Sequence, residues 1–178
     1  MLSRDLFEDP SGNLARAALG LGFAHRNLKY LAANTTPLGS VIAAPIPASR
    51  ELVCRDGLKY YARIEDENIR KTLEEVELQR DVLRRATPQS KSASMMKLEL
   101  DMAARMAAQS CKFMLWQQGV AAEKNTVAKQ LARQGTRELL RLEKDFKAYW
   151  PRRNKATPRH STPFLRWRME DYRRGKVI

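Results

Sequence analysis

A chain of 178 residues with 43% hydrophobic and 30% charged side chains is long enough for one packed domain and too apolar for wholesale disorder. A chain of this length buries roughly 70% of its unfolded surface, so it needs no disulfide or metal staple. Its 33 Lys and Arg against 20 Asp and Glu give a net charge of +13, which predicts attraction to polyanions or to an acidic partner surface.

Glycine is scarce while Ala, Leu, Arg, Lys, Glu, Gln and Met are plentiful, a mixture that favours helix. Residues 1–10 lack the apolar core of a secretory signal peptide, which predicts an intracellular chain. Asp9-Pro10-Ser11 offers N-cap chemistry for a first helix over residues 10–33, with Leu14, Ala18, Leu21, Leu28 and Leu31 at helical spacing. Gly20 and Gly22 weaken its middle. With no preceding strand and no third glycine, they make no dinucleotide loop.

Residues 34–64 read as loop-rich. The stretch 30–49 carries no charge, but Pro37, Pro45, Pro47 and Gly39 exclude a membrane span, and Asp56-Gly57 is a turn pair. Tyr60-Tyr61 is expected to pack this segment onto the helices. A second helix follows over 65–86, with Ile69, Leu73, Val76 and Leu83 as its apolar stripe. Its acids Glu65, Asp66 and Glu67 precede its bases Arg80, Arg84 and Arg85, which complements the helix dipole. Thr87-Pro88-Gln89-Ser90 ends it, and the linker to Ser94 is expected to be flexible.

The third helix, 94–118, is apolar over much of its circumference. One row is Met96, Leu100, Ala103, Ala107, Cys111 and Met114; another is Met95, Met102, Met106 and Phe113. Such a helix belongs at the centre of a bundle. Gly119 ends it, and a fourth helix over 121–150 turns Val127, Leu131, Leu139, Leu142, Phe146 and Tyr149 inward. Gly135 is its point of close approach to a neighbour, and Pro151 closes it. Residues 151–178 read as a basic loop and a short helix from Phe164, where Ser161-Thr162-Pro163 places a hydroxyl cap before Pro at N1. No segment alternates with a period of two. The expected fold is a single all-α domain over 1–178, an irregular bundle of about five helices with a Pro-rich loop region after the first.

The sequence offers little for catalysis. Cys54, Cys111, His25 and His160 have no zinc-site spacing; Cys54 reads as a loop thiol and Cys111 as a buried one. There is no Ser-His-Asp set, no His-Glu-x-x-His and no phosphate-binding glycine loop, so no catalytic residue, metal or cofactor is expected. Asp66-Glu67 is the sole Asp-Glu dipeptide, and neighbours on a helix diverge by about 100°, so it reads as dipole complementation.

Charge is more informative. Residues 137–178 hold 13 bases and five acids, a net of +8. Rings and bases interleave there: Tyr149, Trp150, Arg152, Arg153 and Asn154, then Phe164, Arg166, Trp167 and Arg168. This pattern suits phosphate contact with base stacking on RNA. It equally suits a protein partner, because Trp and Arg dominate interface hot spots. Both partners stay open from the residues alone, as does the oligomeric state.

The run Leu142-Glu143-Lys144-Asp145-Phe146-Lys147-Ala148-Tyr149-Trp150-Pro151-Arg152-Arg153-Asn154-Lys155, with Ser161 and Leu165 beyond, resembles the end of bacterial family 20 glycoside hydrolases, the β-N-acetylhexosaminidase type. Gly22 and Asn34-Thr35-Thr36-Pro37-Leu38 look like the opening of the helical region that follows that family's barrel. Leu98-Glu99-Leu100-Asp101-Met102-Ala103-Ala104-Arg105-Met106, leading to Ser110-Cys111, looks like its central helix. The resemblance spans residues 10–172 and rests on the order of the motifs. Ala156-Thr157-Pro158-Arg159-His160 stands where the family has glycines. The chain holds no counterpart of the catalytic barrel, and Asp66-Glu67, preceded by Arg63-Ile64-Glu65, inherits no catalytic role.

The resemblance therefore implies a non-catalytic accessory domain that supports a carbohydrate-active partner or barrel. The rival expectation is a basic helical subunit of a ribonucleoprotein or other large assembly, binding RNA or an acidic partner through its tail. An accessory domain leaves apolar surface where its barrel packs. Tyr149, Trp150, Phe164 and Trp167 are the expected anchors, rimmed by Arg152 and Arg153; alternatively the Trp rings close the bundle's own core.

Overall fold

A computed structural model describes residues 7–30, 36–43, 63–155, 157, 159 and 162–175. Among these residues the chain is all helical: α1 Asn13–Phe23, a 3₁₀ extension Ala24–Leu28, α2 Pro37–Ala43, α3 Asp66–Arg84, α4 Lys91–Ala121, α5 Asn125–Tyr149, a 3₁₀ turn Trp150–Arg152 and α6 Pro163–Arg174. The central helix is α4, packed against α2, α3 and α5, while α1 packs on α3 and α6 lies against α5.

The stripe expected on α3 is the one that faces inward: Ile69, Val76 and Leu83 are buried and Leu73 packs on the core. In α4 nearly every residue from Ala108 to Gly119 is buried, because neighbours lie on several sides. Phe113, Met114 and Trp116 are its largest core side chains. Two residues expected to face inward do not: Ala103 on α4 and Val127 on α5 face solvent.

Four boundaries differ from expectation, each for a local reason. The first helix is shorter, since α1 tightens to 3₁₀ beyond Phe23 and reverses at Lys29 in the left-handed region, φ 50°. The expected loop region contains α2, whose start is stabilised by Thr36: its hydroxyl oxygen accepts from Leu38 N at 3.1 Å and Pro37 opens the helix. Helix α4 begins at Lys91 because Ser90 caps it, accepting from Ala93 N at 3.1 Å. It also runs past Gly119 to Ala121, and the chain turns at Glu123 with φ 56°. Leu31, Cys54, the Asp56-Gly57 pair, Tyr60-Tyr61, His160 and Ser161 lie outside the described residues.

The corner at 87–90, expected to be slack, is tied down by Asp9. Its buried carboxylate accepts from Leu14 N (2.7 Å), Ser11 N (3.2 Å), Ser11 Oγ (2.7 Å), Thr87 N (2.9 Å) and Thr87 Oγ1 (3.2 Å). Gln89 N adds a bond to the Glu8 carbonyl, and Lys97 Nζ donates to the Arg84 and Ala86 carbonyls at the end of α3. The N-cap position itself is Gly12, which has no side chain to offer, so Asp9 caps α1 from three residues further out.

Burial alone would raise the Asp9 carboxyl, but the hydrogen bonds from Ser11, Leu14 and Thr87 outweigh it and hold it at about 2. A depressed carboxylate contributes stability that is present above its unfolded value of 3.8 and is lost as pH falls towards about 2. The contribution is about 2 kcal/mol. Asp9→Asn should lose about that amount at neutral pH and unfold in urea with a flatter dependence between pH 4 and pH 2. An acid slope identical in both proteins would assign the stabilisation elsewhere.

Candidate functional site

The residues proposed from the sequence gather where the end of α5, the 3₁₀ turn and α6 meet, but they divide into two populations. Tyr149 is core: it is buried, and its hydroxyl donates to Glu99 Oε1 on α4. Trp150 stacks on Phe146 with ring centroids 5.0 Å apart, and Phe164 meets Phe146 edge-on at 6.3 Å. Tyr149 is thus part of the bundle's core, and Trp150 and Phe164, half-buried, pack against it. Trp167 alone of the four is outward, 41% exposed.

The arginines divide in the same way. Arg168 is 2% exposed, pairs with Asp171 at 3.0 Å and lies 5.0 Å above the Phe113 ring, so it is no surface contact for a polyanion. Arg153 donates to Glu99 at 2.8 Å, and Arg166 to Glu143 at 2.8 Å. Asn154 returns its backbone N–H to the Trp150 carbonyl at 3.0 Å, which closes the turn. Arg152 is exposed beside Lys91 and Met95 at the start of α4.

Electrostatics follow these pairings. Burial would raise Glu99, yet the hydrogen bonds from Tyr149 and Arg153 prevail and hold it below the ordinary carboxylate range. Burial and the adjoining Glu99 carboxylate push the Tyr149 phenol upward. Glu143 behaves like Glu99: burial opposes ionisation, while Lys147 and Arg166 overcome it. These are charges organised to hold helices together.

Asp66 and Glu67 are likewise engaged one turn along α3, Asp66 with Arg70 at 3.2 Å and Glu67 with Lys71 at 2.6 Å. Burial pushes the Cys111 thiol up to about 12, which removes it as a nucleophile at neutral pH. His25 is anchored to the Gly22 carbonyl at 2.9 Å. Among the described residues no cluster of three His, Cys, Asp or Glu could hold a metal ion, and no helix is long and apolar enough to cross a membrane.

A basic surface that includes none of the expected contact residues runs along α5. Lys129, Arg133, Arg137 and Arg141 recur every fourth residue, with Lys144 beside them, and all five are exposed. None holds an ion pair among the described residues. Like charges at that spacing cost about 0.2–0.5 kcal/mol per pair, so α5 carries an uncompensated repulsion along one face. The signal was present in the sequence as an i, i+4 series. Only the packing shows that α5's own acids leave the series unanswered. The acids take other bases instead: Glu138 binds Lys112 at 2.7 Å and Asp145 binds Arg105 at 2.7 Å.

No family model, curated protein or solved structure matches this chain.

Proposed function

We propose that this chain is a non-catalytic helical accessory domain, similar to the region that follows the barrel in family 20 β-N-acetylhexosaminidases, and that it packs against a carbohydrate-active catalytic partner. The carrying observation is that the segments bearing the resemblance, remote in sequence, meet through specific polar contacts. Glu99 of the central-helix motif receives Tyr149 and Arg153 of the aromatic-Trp-Arg motif. Ser110 of the same helix donates to the Leu38 carbonyl of the opening motif at 2.8 Å. Motifs that were ordered along the chain are thereby parts of one packed unit, as residues retained from a common domain would be.

Two further observations support a supporting role over a catalytic one. The acids and the thiol with altered acidity are explained by packing and ion pairing, as described for Glu99, Glu143 and Cys111. Leu19 and Phe23, one turn apart on α1, are 62% and 51% exposed, apolar surface of the kind a larger body covers. The test has two arms. The pure chain should not turn over a chromogenic N-acetylglucosaminide, and it should co-elute with a separately produced family 20 barrel in size exclusion. Turnover by the chain alone, or separate elution of the two proteins, would overturn the reading.

RNA binding through the tail draws less support. Of Arg152, Arg153, Arg166 and Arg168, three already face carboxylates within the fold.

A further inference from the structure

Helices α5 and α6 pack together and leave a groove of about 970 Å³ along their junction. Its floor is apolar, with Ala132 and Leu140 from α5 and Met169 from α6. Leu140 is 53% exposed although it sits in the middle of a long helix, so it adds little to the protein's own core. The rim is basic: Arg133 and Arg137 on one side, Arg166 and Arg173 on the other.

Among the described residues the charge at this rim is not balanced. Glu143 serves both Arg166 and Lys147, and Glu170 serves both Arg173 and Arg174. Two carboxylates therefore answer four bases, while Arg133 and Arg137 hold no ion pair among the described residues. The neighbouring cleft between α3, α4 and α5 makes the contrast. There Arg80, Arg105 and Lys112 are matched by Glu77, Asp101, Asp145 and Glu138, and with Arg141 at its edge the charges cancel. That cleft ties helices together. The α5–α6 groove retains a positive surplus above an apolar floor.

We propose that the α5–α6 groove docks an acidic amphipathic helix of a protein partner. Its apolar face would lie on Leu140 and Met169, and its carboxylates would answer Arg133 and Arg137. The α5 wall runs from Ala132 to Glu143, about 17 Å at 1.5 Å per residue, which accommodates about three turns of helix. The i, i+4 spacing of Arg133 and Arg137 matches carboxylates at the same spacing on a partner helix lying alongside. Nucleic acid fits less well. The ring in the groove wall, Tyr172, is buried, so no aromatic face is offered for base stacking, and an apolar floor is of no use to a phosphate backbone. This docking surface stands independently of whether the partner on α1 is a catalytic barrel.

The test uses the full chain and a labelled 18-residue helical peptide carrying a Leu stripe flanked by Glu at i, i+4, followed by fluorescence anisotropy. A scrambled peptide of identical composition should bind about tenfold more weakly, because the charge remains while the apolar stripe is lost. The Arg133→Glu, Arg137→Glu double variant should weaken the designed peptide at least about tenfold, and Leu140→Ser about fivefold. All these positions are exposed, and circular dichroism would verify that the variants fold. Equal affinity for the scrambled peptide would overturn the proposal, leaving only charge attraction. Tighter binding of labelled oligouridylate, abolished by the same double variant, would overturn it in favour of a polyanion surface. No detectable binding of the designed peptide would overturn it as well.

Discussion

Arg168→Ala is expected to cost about 3–5 kcal/mol, the largest single loss we anticipate, because it leaves Asp171 charged and buried with its ion-pair partner gone. Arg168 also spreads its guanidinium over Phe113, whose ring centroid lies 5.0 Å from that of Trp116 and 5.3 Å from that of Tyr172. Its removal therefore opens the aromatic centre of the core as well. Breaking a buried pair and replacing it are different experiments, however. Arg168→Met combined with Asp171→Leu removes both charges and refills the volume, and it should recover most of the loss. Urea denaturation of the two single variants and the double would decide the matter. Additive losses in the double variant would mean that the two charges do not act as a pair.

The second large effect is expected at Gly135, where α5 and α6 touch. A Cβ placed there would lie 2.4 Å from Tyr172 Cε2 and 2.6 Å from its hydroxyl. That ring cannot swing away cheaply, since it is buried edge-on against both Phe113 and Trp116. Gly135→Ala should therefore destabilise by about 3 kcal/mol, although alanine gains about 1 kcal/mol of helix propensity over glycine. The sign should reverse in a Tyr172→Ala background, where the clash is gone and only the propensity gain remains. Thermal denaturation of the four proteins of this cycle measures it. A loss of equal size in both backgrounds would refute the contact as the cause.

Much of the architecture was legible before any coordinates. The inward stripe Ile69, Val76 and Leu83, the multi-sided burial of α4, and the close approach at Gly135 all follow from spacing and residue type. These are local properties, since a helix period and a missing side chain are written in one segment. The short helix α2 is not expected from the sequence, although its Thr36-Pro37 start repeats the hydroxyl-then-proline pattern read at Thr162-Pro163, where the Thr162 side chain makes no cap hydrogen bond. Seven residues amid prolines give too little periodicity to outweigh the loop signal.

The candidate site was less legible, and the reason is physical. Interleaved arginines and rings look alike in sequence whether they face a partner or each other. Composition determined that the chain would be helical and strongly basic, and periodicity determined which faces of α3 and α4 would be apolar. Only the tertiary structure decided that Tyr149 would reach Glu99, that Arg168 would enter the core to meet Asp171, and that Arg133 and Arg137 would stay outside with no carboxylate partner among the described residues. Burial of a charge depends on what crosses above it, and that is a property of the packing between helices that no single helix contains.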